Sequence, residues 1–216
     1  MTGYLQYRNG KIHYTDQGRG QVIVLLHGYL ETSEVWNSFS RKLAAKYRVI
    51  SPDLPGHGQS DVFEKTHTME HMAEIIKELL ESLEIGKAFL TGHSLGGYIA
   101  LAFAEHFPEK LSGYCLFHSH PRADSPEALE KREREINLVM AGKKDLMYPD
   151  NVAKMFAAQN LKKFSASLER LKQIASSIQG EGIIAVLKGM MARPSRLAVM
   201  EEGIVPCLWI LGAMDN

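Results

Sequence analysis

Five consecutive residues, Gly92-His93-Ser94-Leu95-Gly96, constrain this chain more than any other stretch of it. They follow the apolar run Ala88-Phe89-Leu90 and lead into a helix-forming segment from Tyr98 to His106. A strand that passes directly into a helix must reverse within a few residues, and the residue at the apex is forced into a strained backbone conformation. A side chain at either flanking position would collide with neighbouring backbone, so Gly92 and Gly96 stand where only small residues fit. The Ser94 hydroxyl is thereby pushed out above the sheet edge, at the positive end of the following helix. The plainer alternative is a glycine-rich loop with Ser94 as an ordinary helix N-cap. Such a cap has no need of glycine on both sides at this spacing.

The flanking segments supply the context that this turn requires. Tyr4 to Arg8 and Lys11 to Thr15 alternate as strands, with Asn9-Gly10 as the hairpin turn between them. Val22 to Leu26 is a continuous β-branched and apolar run, the pattern of a strand covered on both faces, and it ends at His27-Gly28-Tyr29. Ser33 to Lys46 reads as a helix and Arg48 to Ser51 as a short strand broken at Pro52; Asp53 to Ser60 reads as a loop. Thr68 caps a helix reaching about Leu83, Lys87 to Thr91 precedes the tight turn, and Leu111 to Phe117 is a further strand. The alternation implies an α/β fold: a mainly parallel, twisted sheet with helices on both faces.

After His118 the pattern changes. Helices are expected over Pro126–Ala141, Pro149–Gln159, Ser165–Ile178 and Gly180–Met190, with a shorter one near Ser195–Glu202. Pro206 to Gly212 then returns to an apolar strand. The expected organisation is a core over residues 1–118, an inserted helical cap over 119–203 and a return to the core over 204–216.

Composition excludes several classes. Hydrophobic residues make up 45% of the 216 and charged residues 23%, with a formal net charge of zero. There is no basic stripe for nucleic acid, and no apolar run approaches the roughly 18 residues of a membrane helix. Cys115 and Cys207 sit in apolar strand-like segments and read as buried free thiols of a reducing, cytoplasmic compartment; no spacing supports a disulfide or a metal site. Oligomeric state is not legible.

Taken together, the His27-Gly28-Tyr29 turn, the loop Asp53-Leu-Pro-Gly-His-Gly-Gln-Ser60, the Gly92–Gly97 stretch and the strand end Leu211-Gly212-Ala213-Met214-Asp215 resemble the α/β-hydrolase superfamily. Within it the chain is similar to small esterase-type members with a helical lid. The resemblance covers nearly the whole chain and implies an α/β-hydrolase fold with an inserted cap.

It also implies roles. Ser94 is the expected nucleophile at the elbow, attacking an acyl carbon. The backbone N–H groups of Tyr29 and Leu95 are the expected oxyanion donors, with Gly28 allowing close approach to substrate and His27, Gly92, His93 and Gly96 supporting the motif. Asp215 is the expected acid that orients a catalytic histidine; Asp124 is a weaker alternative, read instead as a helix cap beside Ser125. Asp53 is expected to hold its turn, and Ser94 at the elbow argues against relatives that use an aspartate nucleophile. Met140, Met147, Met155, Met190 and Met191 are candidates for lining the pocket or packing the lid.

The family order of nucleophile, acid and histidine places the base beyond the acid. All nine histidines precede Asp215, and none occupies that place: His93 is in the elbow and is expected to point elsewhere, His27 and His57 flank the oxyanion turn, and His118 and His120 border the pocket. The expectation is therefore a chain lacking its C-terminal part, with the histidine beyond Asn216 and the 216-residue piece inactive alone. The activity implied is hydrolysis of a small or medium carboxylic ester, with no cofactor or metal and with a small-molecule ester as the only partner. The same resemblance leaves room for a C–C bond hydrolase, a lyase, a cofactor-free haloperoxidase or a non-catalytic relative.

Overall fold

A computed structural model describes residues 1–213. Its first half builds strands β1 (Thr2–Tyr7), β2 (Gly10–Gln17) and β3 (Val22–Leu26), helix α1 (Asn37–Leu43), strand β4 (Arg48–Pro52), helix α2 (Met69–Ser82), strand β5 (Ala88–His93), helix α3 (Leu95–His106) and strand β6 (Leu111–Phe117). Helices α4 (Pro126–Met140), α5 (Tyr148–Ala153), α6 (Ser165–Ser177), α7 (Gly180–Ala192) and α8 (Leu197–Glu202) follow, and then strand β7 (Cys207–Ile210).

Among the described residues the sheet has the order β1-β2-β4-β3-β5-β6-β7, antiparallel at the β1/β2 and β2/β4 pairs and parallel from β4 to β7. Alternate residues of a strand face opposite sides. Val24, Leu26 and Ile50 therefore join the large core with α2 and α3, while Leu25 and Val49 pack with Trp36 on the other side. Helix α3 is buried from Leu95 to Ala104, as a helix apolar on all sides must be. Helix α2 is amphipathic, and its Thr68 cap accepts from the His71 N–H at 3.2 Å.

Several expectations need correction. Tyr7 pairs with Gly10, so the hairpin turn is Arg8-Asn9, with Arg8 at φ 49°. The segment from Ser33 starts as a 3-10 turn and becomes α-helical only at Asn37. The helix expected over Pro149–Gln159 stops at Ala153, and Ala157 is extended. Cys115 is buried, but Cys207 is exposed, because β7 is the sheet edge among the described residues and carries Leu208, Trp209 and Ile210 exposed as well. Met140 is 71% exposed and lies at the surface, where it neither packs nor lines the cavity described below. No helix of the described residues is long and apolar enough to cross a membrane.

Candidate active site

The turn between β5 and α3 carries the strain that its sequence demands. Ser94 has φ 48° and ψ −110°, a region that residues with a side chain seldom enter. Surrounding bonds hold it there. Its N–H donates to the Phe117 carbonyl at 3.1 Å, and its own carbonyl accepts from Gly97 N–H at 2.9 Å and from the Ser119 hydroxyl at 2.7 Å. A Cβ at Gly92 would stand 2.1 Å from the Gly96 carbonyl oxygen, and one at Gly96 would stand 2.4 Å from that of Leu26. Both contacts are with backbone that cannot step aside, so the glycines are steric necessities. Ser94 occupies the N-cap position of α3 without using its side chain as a cap, which leaves the hydroxyl uncommitted to the helix.

Ser94 lines a cavity of about 310 Å³, whose core-side wall includes Tyr29, His93, Tyr98 and His118 and whose helical wall includes Arg132, Lys154, Met155 and Met190. Two larger hollows, of about 570 and 600 Å³, are not lined by Ser94. Tyr29, Ser94 and the helix beginning at Leu95 thus meet at one place, as do His93 and His118. Met155 and Met190 line the cavity; Met147 is buried elsewhere in the core. Asp215 lies outside the described residues.

The supporting residues hold the turn in a way the sequence did not announce. The Glu31 carboxylate accepts from the Gly28 N–H at 2.6 Å and lies 2.9 Å from His93 Nδ1. Burial works against its charge, but the charge and hydrogen bond of His93 and the Gly28 N–H outweigh it and hold the carboxyl below the ordinary range. Gly28 also makes room for this carboxylate: a Cβ there would stand 2.8 Å from His93 Nδ1 and 2.9 Å from Glu31 Oε2. His93, expected to point away, turns to Glu31 and still borders the cavity. A carboxylate shortly after a His-Gly pair carries no periodic signal, so only the fold reveals it.

His27 is fully buried; its Nε2 accepts from Leu54 N–H at 2.9 Å and its Nδ1 bonds the Gly28 carbonyl at 2.8 Å. Burial lowers its pKa, so it serves as a neutral brace between two loops. Asp53 holds its turn as expected, accepting from Ser33 N–H at 2.8 Å and Gln59 N–H at 3.0 Å and pairing with His13 Nδ1 at 2.8 Å. Asp124 does not cap α4. Ser125 does, accepting from Ala128 N–H at 3.3 Å. Asp124 instead joins Arg132 of α4 to Arg193 just beyond α7, through contacts of 2.6 and 2.8 Å.

Comparison with known proteins bears on this geometry. A family profile described as alpha/beta hydrolase fold matches residues 21–173. An esterase from Thermogutta terrifontis, solved with malate bound, superposes with a TM-score of 0.86 at 30% identity, covering 97% of this chain and 79% of that one. An enol-lactonase from Burkholderia xenovorans superposes with a TM-score of 0.89 at 22% identity, covering 98% of this chain and 81% of that one, a likeness of fold alone. A 2-hydroxy-6-oxononadienedioate/2-hydroxy-6-oxononatrienedioate hydrolase of Burkholderia vietnamiensis is 39% identical over 112 residues, which are 49% of this chain and 39% of that protein. An uncharacterized protein of Mycobacterium bovis is 42% identical over 99 residues, 46% of this chain. The matched stretch is only 29% of that mycobacterial relative's length.

Proposed function

The chain belongs to the alpha/beta hydrolase fold family, and on that premise we propose that it is a serine hydrolase cleaving a small or medium carboxylic ester through an acyl-serine intermediate. The observation that carries this reading is Ser94 held at φ 48° on the lining of a cavity, its hydroxyl free of the helix it precedes. In the proposed reaction Ser94 Oγ bonds the acyl carbon while its proton passes to a general base. The tetrahedral oxyanion is met by the N–H groups of Tyr29 and Leu95, and losing one such donor typically costs about 3 kcal/mol of transition-state stabilisation. The ester C–O bond then breaks, and the alcohol leaves with the proton held by the base. Water attacks the acyl-serine in the second half, giving the acid and restoring Ser94. The base in this proposal is a histidine oriented by Asp215.

A second reading keeps the same serine for C–C bond hydrolysis. The Burkholderia vietnamiensis relative, named as a 2-hydroxy-6-oxononadienedioate/2-hydroxy-6-oxononatrienedioate hydrolase, favours it over a lyase, a haloperoxidase or a non-catalytic role. Ester and C–C bond hydrolysis separate on a substrate panel given to the purified full-length protein. Turnover of p-nitrophenyl acetate and butyrate, lost at least a thousandfold in Ser94→Ala, supports the ester reading. Cleavage of a vinylogous 1,5-diketone with no ester turnover favours the second, and full ester activity in Ser94→Ala overturns both.

A further inference from the structure

The cavity at Ser94 carries more positive charge than its own carboxylates neutralise. Arg132 and Lys154 line it. Arg132 places Nε and Nη2 on Asp124 at 2.6 and 3.1 Å, and the same carboxylate takes Arg193 Nη1 at 2.8 Å, so one negative charge is divided between two guanidiniums. Arg193 is buried with its Nε and Nη2 unpartnered, and its guanidinium lies 3.8 Å over the ring of Tyr98, a ring that faces the cavity.

The other carboxylates nearby are occupied. Glu135 accepts from Asn151 Nδ2 at 3.0 Å and the Tyr29 hydroxyl at 3.4 Å, and stands 3.8 Å from Lys131 Nζ. Glu31 is taken up by His93 and Gly28. Lys154 lines the same space with no carboxylate among the described residues at ion-pair distance. The same lining includes two thioethers, Met155 and Met190.

We infer that the compound cleaved at Ser94 carries a carboxylate, held by Lys154 and Arg132 across a short hydrocarbon spacer from the scissile carbonyl. This rests on the hydrolase reading and names its substrate class: half-esters of short dicarboxylic acids. A carboxylate bound to an ammonium or guanidinium makes shorter and stronger hydrogen bonds than a neutral group does. The attraction is larger at Arg132, whose side chain is 17% exposed, than it is in open water. Lys154 is exposed, so water solvates its ammonium in the free protein, and a substrate carboxylate adds an ion pair that a neutral acyl chain of the same length cannot make. The flexible thioethers of the wall accept a spacer of two to four methylenes without a fixed shape.

The test uses the full-length protein and paired substrates: monophenyl succinate, glutarate and adipate against phenyl butyrate, valerate and hexanoate. At low salt the half-esters are expected to show kcat/KM at least tenfold above their neutral partners. Lys154→Met is expected to shrink that ratio about tenfold, and Lys154→Glu to invert it. Glutarate binding to Ser94→Ala, measured by calorimetry, reads the same site without turnover and is expected to weaken at least tenfold in the Ser94→Ala, Lys154→Met double variant. Neutral esters turned over as fast as half-esters, with a ratio indifferent to Lys154, overturn the inference and leave the hydrolase reading standing. Glutarate binding that depends on Lys154, with no turnover of any ester, keeps the anion site and overturns the ester reading instead.

Discussion

The Glu31 carboxylate, buried between the Gly28 N–H and His93 Nδ1, fastens the loop that carries Tyr29 to the residue that precedes Ser94. If the Tyr29 amide is an oxyanion donor, its position depends on this clamp. A hydrogen bond to a charged group is worth about 1.5–3 kcal/mol. Glu31→Gln keeps the shape and removes the charge, and the expected outcome is a roughly tenfold slower second-order reaction of Ser94 with a fluorophosphonate. Stopped-assay labelling rates check it, and an unchanged rate would show the clamp to be irrelevant to the site. Ser94, Gly92 and Gly96 were legible in the sequence because steric exclusion at a tight turn acts on neighbours in the chain. Glu31 was not, because its partners, Gly28 and His93, come from two separate elements and meet only after β3 and β5 pair.

At the scale of elements, Asp124 is the tie between α4 and the end of α7. Its carboxylate and the Arg193 side chain are 3% and 2% exposed, and Arg132 is 17% exposed. Burial opposes the Asp124 charge, yet the two guanidiniums hold its pKa below the ordinary value. Removing one partner of a buried ion pair strands the others and costs about 3–5 kcal/mol. Asp124→Asn is therefore expected to lower the urea midpoint by that equivalent without changing the slope of the transition; a midpoint within error of the parent would contradict it. The sequence located α4, α6 and α7 within two residues at each end, since apolar periodicity and the Ser125 cap are local signals. It misread Asp124 as a cap because an acid beside a serine and a proline fits that role locally, while Arg193 lies far along the chain. The exposure of Cys207 was hidden for a related reason: an apolar strand reads the same whether or not another element covers it.

Across the whole molecule, buried histidines make stability depend on pH. Burial pushes the pKa of His57 down to about 3 and that of His67 down to about 4. In the unfolded chain both titrate near 6.5. Between those values the unfolded state binds more protons than the folded one, so stability is complete above about pH 6.5 and falls as the pH drops. Each histidine contributes a slope of about 1.4 kcal/mol per pH unit until its folded pKa is passed. Urea midpoints from pH 7 to 4 are expected to decline accordingly, with a shallower decline in His57→Gln; a flat profile would contradict the burial of these rings as neutral groups. The proposed function rests on one claim, that Ser94 is a reactive nucleophile at the strained turn between β5 and α3. Fluorophosphonate labelling of the full-length protein, read by mass spectrometry of the peptide containing residue 94, tests it most directly. The account predicts one adduct, on Ser94, absent in Ser94→Ala; an unmodified Ser94 after prolonged exposure, or an adduct that persists in Ser94→Ala, would contradict it.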